Sequence, residues 1–294
     1  MANFDTTSPV MVTGSTGYVA GVLCKELLKA GLTVHLSCER DPTNESKIQH
    51  LKDIEANSDG TLRFFRADLL DDGSYLESMK DCSTVFDSAS PFSMSVPKGK
   101  EIEILLDPAI KGTKNVLQLD ETAVVDYKAV RVSKTLAEKA AWEFVKDKDC
   151  NYELIVINPG FVMGPGIMVH PTSESYQFVQ RLGNGVMKYG CPNTGIVAVD
   201  VRDVAKAHFN AGFTENVNGR YLVWILWLIA PLIGMTRTYV WRAVNVEAGM
   251  DNSKSIRGLN MEYKPLNVTM QDMFIQMVDD GFVNDPTIAV KKEE

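Results

Sequence analysis

The stretch Thr13 to Ala20, T-G-S-T-G-Y-V-A, has the residue types and spacing that cradle a diphosphate. Gly14, Gly17 and Ala20 recur every three residues, between the apolar run Ser8 to Thr13 and a helical pattern from about Tyr18 to Ala30. Each position has a mechanical reason. Gly14 permits a tight turn out of a strand, Gly17 lets a pyrophosphate reach the backbone, and Ala20 is small enough for a helix to lie close on a sheet. Amides at the helix start, at the positive end of its dipole, then face the phosphates. A glycine-rich turn without a ligand is the plain alternative. The strand before it and the helix after it favour dinucleotide binding.

Chemistry further along depends on the residues at the ends of the next two strands. After Leu32 to Ser37 comes Cys38-Glu39-Arg40-Asp41-Pro42, which offers both signs of charge. A carboxylate there bonds a ribose 2′-hydroxyl, whereas an arginine pairs with a 2′-phosphate. Arg40 tips the reading to NADP over NAD, with solvated loop charges as the competing reading. Asp68, after the strand Thr61 to Arg66, is placed either at an adenine edge or as a helix N-terminal carboxylate.

The elements that must position these groups alternate. Helices are expected at Ser46 to Ala56, Ser74 to Lys80, Glu101 to Gln118 (interrupted near Pro108 and Gly112) and Ser133 to Lys148, with strands at Ser83 to Asp87 and Tyr152 to Ile157. Gly31 is a plausible C-cap of the first helix. This alternation predicts an α/β fold, a Rossmann-like doubly wound parallel sheet over residues 1–160, with 196–215 returning to it. Residues 161–294 read as a smaller C-terminal substrate-binding region, with local helices at Glu174 to Leu182, Val201 to Gly212 and Thr269 to Asp280. Asp200, Arg202 and Asp203 are expected to cap a helix and pair with one another, and His208 to be structural. Met163, Met168 and Met187 are pocket-lining or gap-filling.

Composition excludes several classes. The 294 residues carry a net charge of −8 and no basic run, a poor match to nucleic acid. Five scattered cysteines and four scattered histidines give no zinc pattern and favour free thiols in a reducing compartment, hence a cytoplasmic location without a signal peptide. The longest apolar run, Leu222 to Met235, spans 14 residues and contains Pro231 and Gly234. A membrane span needs about 20, so burial is expected instead.

Seven ordered stretches resemble the extended short-chain dehydrogenase/reductase superfamily, in its dihydroflavonol reductase and cinnamoyl-CoA reductase-like group. They are V-T-G-S-T-G-Y-V-A at Val12, A-D-L-L-D-D-G-S at Ala67, V-F-D-S-A-S-P at Val85, K-G-T-K-N-V-L at Lys111, S-K-T-L-A-E-K-A-A-W at Ser133, I-N-P-G-F-V-M-G-P at Ile157 and D-V-R-D-V-A-K-A-H at Asp200. The resemblance implies that Gly14, Gly17 and Tyr18 line the pyrophosphate and Arg40 holds the 2′-phosphate. Asp68 and Leu69 would border adenine, Ala89 and Ser90 the nicotinamide-side ribose, and Pro159 and Val162 the nicotinamide. Lys134 would bond the ribose hydroxyls and lower the pKa of a tyrosine that acts as general acid. The implied protein is an oxidoreductase of small carbonyl or alcohol substrates, monomeric or homodimeric.

One departure concerns that acid. The family pattern is Tyr-x-x-x-Lys, which sets both side chains on one helical face. Counting back four from Lys134 reaches Val130; Tyr127 lies seven back, about 10 Å of helical rise away. Only thirteen positions separate Leu117 from Val130, and no T-S-S-like strand end appears among them. Thr122 to Val130 is β-prone and is the candidate to replace a central strand. The sequence thus reads as a shortened reductase, and a catalytically silent NADP(H)-binding protein stands as the alternative.

Overall fold

A computed structural model of the chain describes residues 6–38, 45–89, 107–117, 124–128, 131–147, 152–185, 196–223, 225–227 and 251–284. In chain order these hold β1 (Val10–Val12), α1 (Tyr18–Lys29), β2 (Thr33–Cys38), α2 (Glu45–Glu55), β3 (Thr61–Arg66), α3 (Leu76–Met79) and β4 (Thr84–Asp87). Then come α4 (Asp107–Leu117), β5 (Val124–Lys128), α5 (Arg131–Asp147), β6 (Leu154–Pro159), β7 (Phe161–Met163), α6 (Glu174–Gly183), β8 (Ile196–Asp200) and α7 (Val201–Phe213). The last are β9 (Gly219–Val223), β10 (Ile225–Trp227), α8 (Ser253–Gly258) and α9 (Leu266–Asp279).

Seven strands form one sheet in the order β3-β2-β1-β4-β5-β6-β9, and every adjacent pair is parallel. Both faces are therefore covered, and β1 and the first four residues of β6 are apolar without alternation. Val10, Val12, Ile155 and Ile157 pack on the α1 and α7 side, whereas Met11, Val85, Leu154 and Val156 pack with Ala109, Val116, Ala137 and Ala141 of α4 and α5. A second sheet, β10-β8-β7, pairs β7 with β8 in parallel and β10 with β8 antiparallel. Met163 and Ala198 of that sheet share a third core with Tyr176 and Val179 of α6 and with Met273 and Met277 of α9.

Helix α1 shows how local sequence sets the sheet. Gly31, at φ +79, ends it: the Gly31 amide donates to the Leu28 carbonyl and the Leu32 amide to the Leu27 carbonyl. That pair of bonds is a Schellman motif, and Leu27 and Leu32 enter the same core. The turn into β3 is tighter. The Gly60 amide donates to the Leu28 carbonyl, and a Cβ on Gly60 would stand 2.5 Å from the Leu32 oxygen and 2.9 Å from Leu28 Cα.

Two sequence expectations change. Helix α4 runs unbroken through Gly112, which is needed for closeness rather than for a bend: a Cβ there would stand 2.8 Å from Leu69 Cδ2. Pro108 sits at the start of that helix, where a missing amide costs no bond. The apolar run from Leu222 begins as the end of β9, the seventh strand of the main sheet, and continues in β10; residues 228–250 lie outside the described residues. Among the described residues no helix is long and apolar enough to cross a membrane.

Because the backbone of Leu28 and Leu32 blocks any side chain at Gly60, Gly60→Ala is expected to lose about 1–3 kcal/mol of stability. Urea denaturation measures it; an unshifted midpoint would show that the turn before β3 relaxes freely.

Candidate functional site

Strand order reverses between β1 and β4: the chain moves outward from β1 through β2 and β3, then returns to β4 on the other side. At such a switch point the crossovers leave toward opposite faces, and the strand ends open a crevice. Helix α1 packs on one face and α4 on the other.

The crevice is fastened by Thr13, a residue without an assigned role in the sequence reading. Its hydroxyl donates to Asp87 Oδ1 at 2.6 Å and accepts from the amides of Ser88 (3.0 Å) and Ala89 (2.9 Å). Ser88 Oγ returns a bond to the Thr13 carbonyl at 2.8 Å. Ser15, fully buried, donates to the Ser37 carbonyl at the end of β2. Three strand ends are thereby held by side chains of the turn itself.

Gly14 sits at φ +60, and a Cβ on it would stand 2.9 Å from Ala89 Cα. Both the conformation and the space exclude a larger residue. The Gly17 amide donates to the Gly14 carbonyl at 2.8 Å, and Gly17 is the N-cap of α1, with no side-chain cap and no acidic residue in the first turn. A turn that leaves the backbone bare at Gly14 and Gly17, in front of an uncapped helix start, is the cradle a pyrophosphate fits. Ala20 is buried between this helix and the sheet.

Around the cradle, Asp68 caps its own turn, accepting from the Leu70 amide at 2.9 Å. Asn115, in the K-N-V-L stretch, braces that loop: it donates to the Asp71 carbonyl at 2.7 Å and accepts from the Gly73 amide at 3.0 Å. Leu69 lies against Gly112 of α4. Pro159 ends β6, and Val162 lies on β7 against the α1 core. Tyr18 opens α1, and its hydroxyl donates to the Gly164 carbonyl at 2.5 Å. Burial pushes its phenol well above the usual tyrosine range. Lys134 falls in the first turn of α5, at the same edge of the sheet. Arg40, Ser90, Val130 and Met187 lie outside the described residues.

Tyr127 is on β5, in register with Asp87 and Val156, and α5 starts only at Arg131. Tyr127 and Lys134 therefore do not share a helix. The β-prone stretch does fill the central strand position, because five extended residues complete the ladders to β4 and β6.

The acids at Asp200 are divided differently from the expectation. Asp200 caps α7 through the Arg202 amide and takes a bidentate pair from the Arg202 guanidinium, with Thr269 Oγ1 as a further donor. Arg202 also pairs with Asp272. Asp203, in contrast, receives the Lys264 amide at 2.7 Å, and burial raises its pKa. These bonds fasten α9 and the segment before it to α7. His208 is buried on α7, with Nδ1 at 2.7 Å from the Val204 carbonyl. Met163 is buried in the third core, whereas Met168 is exposed.

Fold and turn together define a Rossmann-type nucleotide-binding architecture. A family model described as the NAD dependent epimerase/dehydratase family matches residues 10–126. Cinnamoyl-CoA reductase CAD2 of Medicago truncatula is 30% identical over 335 residues, covering 97% of this chain and 100% of the relative. The bifunctional dihydroflavonol 4-reductase/flavanone 4-reductase of Malus domestica is 28% identical, covering 97% and 94%. Among solved structures, Gre2 from Candida albicans in complex with NADPH superposes with a TM-score of 0.74 at 24% identity, covering 93% of this chain and 99% of that one. The chain belongs to the NAD dependent epimerase/dehydratase family. The alignment with the cinnamoyl-CoA reductase runs over 335 residues, longer than this chain, so the relative carries segments that this chain lacks.

The loop beside Tyr18 makes stability depend on pH. Burial, with the neighbouring His50 adding to it, holds the His170 imidazole down to about 4. The unfolded chain, with an ordinary histidine near 6.5, takes up that proton first. Stability is therefore full above about pH 6.5 and declines as pH falls toward 4, by on the order of 1–2 kcal/mol at pH 5. Urea midpoints recorded between pH 7 and pH 5 should fall, and His170→Gln should flatten the decline.

Proposed function

We propose that this chain is an NADP(H)-dependent oxidoreductase acting on the carbonyl group, or the corresponding alcohol, of a small molecule. The observation that carries the reading is the turn from Gly14 to Gly17, bare of side chains at its two glycines, with Gly14 packed on Ala89 at the switch point. Its support is the reductase relatives and the NADPH complex of the Gre2 neighbour.

In this reading the backbone of Gly14, Gly17 and Tyr18 takes the pyrophosphate. Arg40 takes the 2′-phosphate, Asp68 and Leu69 the adenine edge, and Ala89 and Ser90 the ribose beside the nicotinamide. Pro159 and Val162 press on the nicotinamide, and Lys134 bonds the ribose hydroxyls. Bound there, the dinucleotide supplies or accepts hydride; the chain holds and orients it. Residues 1–160, with 196–215, carry the dinucleotide, and 161–294 face the substrate. We read the setting as cytoplasmic and the assembly as a monomer or homodimer; among the described residues Cys24 and Cys82 are free thiols, and burial pushes Cys82 up to about 12.

A second reading, an NADP(H)-binding protein without turnover, is favoured by Val130 at the position where the family pattern has tyrosine. NADPH fluorescence titration and a carbonyl panel separate the two. Binding with turnover supports the reductase, binding alone supports the silent protein, and no binding sinks both. Gly14→Ala should abolish the NADPH signal while leaving the far-UV spectrum folded. If Lys134 retains its role, Val130→Tyr should raise carbonyl reduction by about 100-fold, the lower range of general-acid contributions. No gain would mean that α5 no longer presents that position.

A further inference from the structure

The segment from Gly164 to His170, which comes after β7, lies on the first turns of α1. Several of its backbone polar groups are engaged by α6 and α9. The Gly164 amide points at Met273 Sδ, the Gly166 amide donates to Tyr176 Oη (2.8 Å) and Gln276 Oε1 (3.0 Å), and the Gly166 carbonyl accepts from Gln276 Nε2 (2.9 Å). Toward α1 the segment makes a different kind of contact. Tyr18 Oη donates to the Gly164 carbonyl at 2.5 Å, and its ring stands edge-on to Tyr176 at 5.3 Å and tilted to His170 at 5.8 Å. A Cβ on Gly166 would stand 3.1 Å from Tyr18 Cδ2, and one on Gly21 only 2.6 Å from Ile167 Cδ1. A Cβ on Gly164 would meet the Asp200 carboxylate at 3.1 Å. The residue immediately after Gly17 is thus keyed into the loop that precedes α6, and through Gly164 into the Asp200–Arg202–Thr269 cluster.

We infer that Tyr18 is a positioning residue: its hydroxyl registers the 164–170 loop on the phosphate-turn helix, so that occupancy of the turn orders the loop on the substrate side. This rests on the dinucleotide reading above. Phosphate contacts fix the amides of the first turn of α1, and Tyr18 belongs to that turn. Fixing it fixes the acceptor at Gly164 and the aromatic stack. Removing the hydroxyl leaves the carbonyl of the buried Gly164 without its donor, while the ring contacts remain.

Hydrogen exchange resolved to peptides spanning 164–170 tests the inference with Tyr18→Phe. In the free protein the variant's loop should exchange about 5- to 10-fold faster, the effect of losing one partly buried hydrogen bond. At saturating NADPH, wild-type exchange in the loop should slow further, whereas the variant should show less than about half of that slowing on a logarithmic scale. Equal exchange in the two free proteins overturns the registering role. Full NADPH-induced protection in Tyr18→Phe, or none in a wild type that binds NADPH, overturns the coupling. Absence of NADPH binding to wild type, read by fluorescence, fails the functional reading and the coupling together. The free-protein comparison still decides whether Tyr18 registers the loop.

Discussion

The approach of Gly14 to Ala89 is the constraint on which the site depends. Two parallel strands can lie side by side at a switch point only if the chain leaving one does not strike the chain leaving the other. Here the gap is too small for a Cβ, and the φ of +60 at Gly14 turns the backbone away from β4. Thr13 then converts proximity into a fixed geometry, since one hydroxyl serves Asp87, Ser88 and Ala89 at once. A cradle built in this way has its Gly14 to Gly17 backbone placed before any ligand arrives, which lowers the cost of binding at the turn itself.

A second constraint joins the C-terminal region to this frame. Asp200 is buried and would be costly unpaired; Arg202 and Thr269 satisfy it, and Arg202 extends the pairing to Asp272. A buried pair of this kind adds little net stability against an apolar replacement, but removing one partner is expensive. Its effect is directional. It fixes where α9 sits on α7, while the apolar cores, which are nondirectional, supply the adhesion.

The range of each interaction decides how legible it is in the sequence. Strands β1 to β4, helix α1 with its Gly31 stop, and the phosphate turn are readable because apolar period, glycine and capping act within a few residues. The β-prone character of Thr122 to Val130 is readable for the same reason, and Val124–Lys128 pairs as a strand. The roles of Thr13, Asn115, Tyr18 and Asp200 are not. Their partners lie 74, 44, 146 and 69 positions away, and no local pattern encodes such a pairing. Gly112 misleads for a related reason: a glycine that breaks a helix and one that admits Leu69 look alike in one sequence.

The two halves of the proposed chemistry are encoded differently, and this explains how one can persist while the other changes. Holding a diphosphate is work for backbone, and it needs only small residues at Gly14 and Gly17 and a helix start behind them. Proton delivery is work for a side chain, and it needs one residue type at one helical spacing from Lys134. A parallel ladder asks still less of sequence: Val125, Asp126 and Tyr127 each find a partner on β6 through main-chain bonds alone. A chain shortened between Leu117 and Val130 can therefore rebuild the strand from whatever extended residues remain and keep the sheet closed on both sides. The spacing to Lys134 has no such tolerance, because a shift of one position turns a side chain by about 100° around the helix. In the proposed reading, binding is a property of the fold and outlasts such a shortening, whereas acid catalysis turns on the identity of position 130.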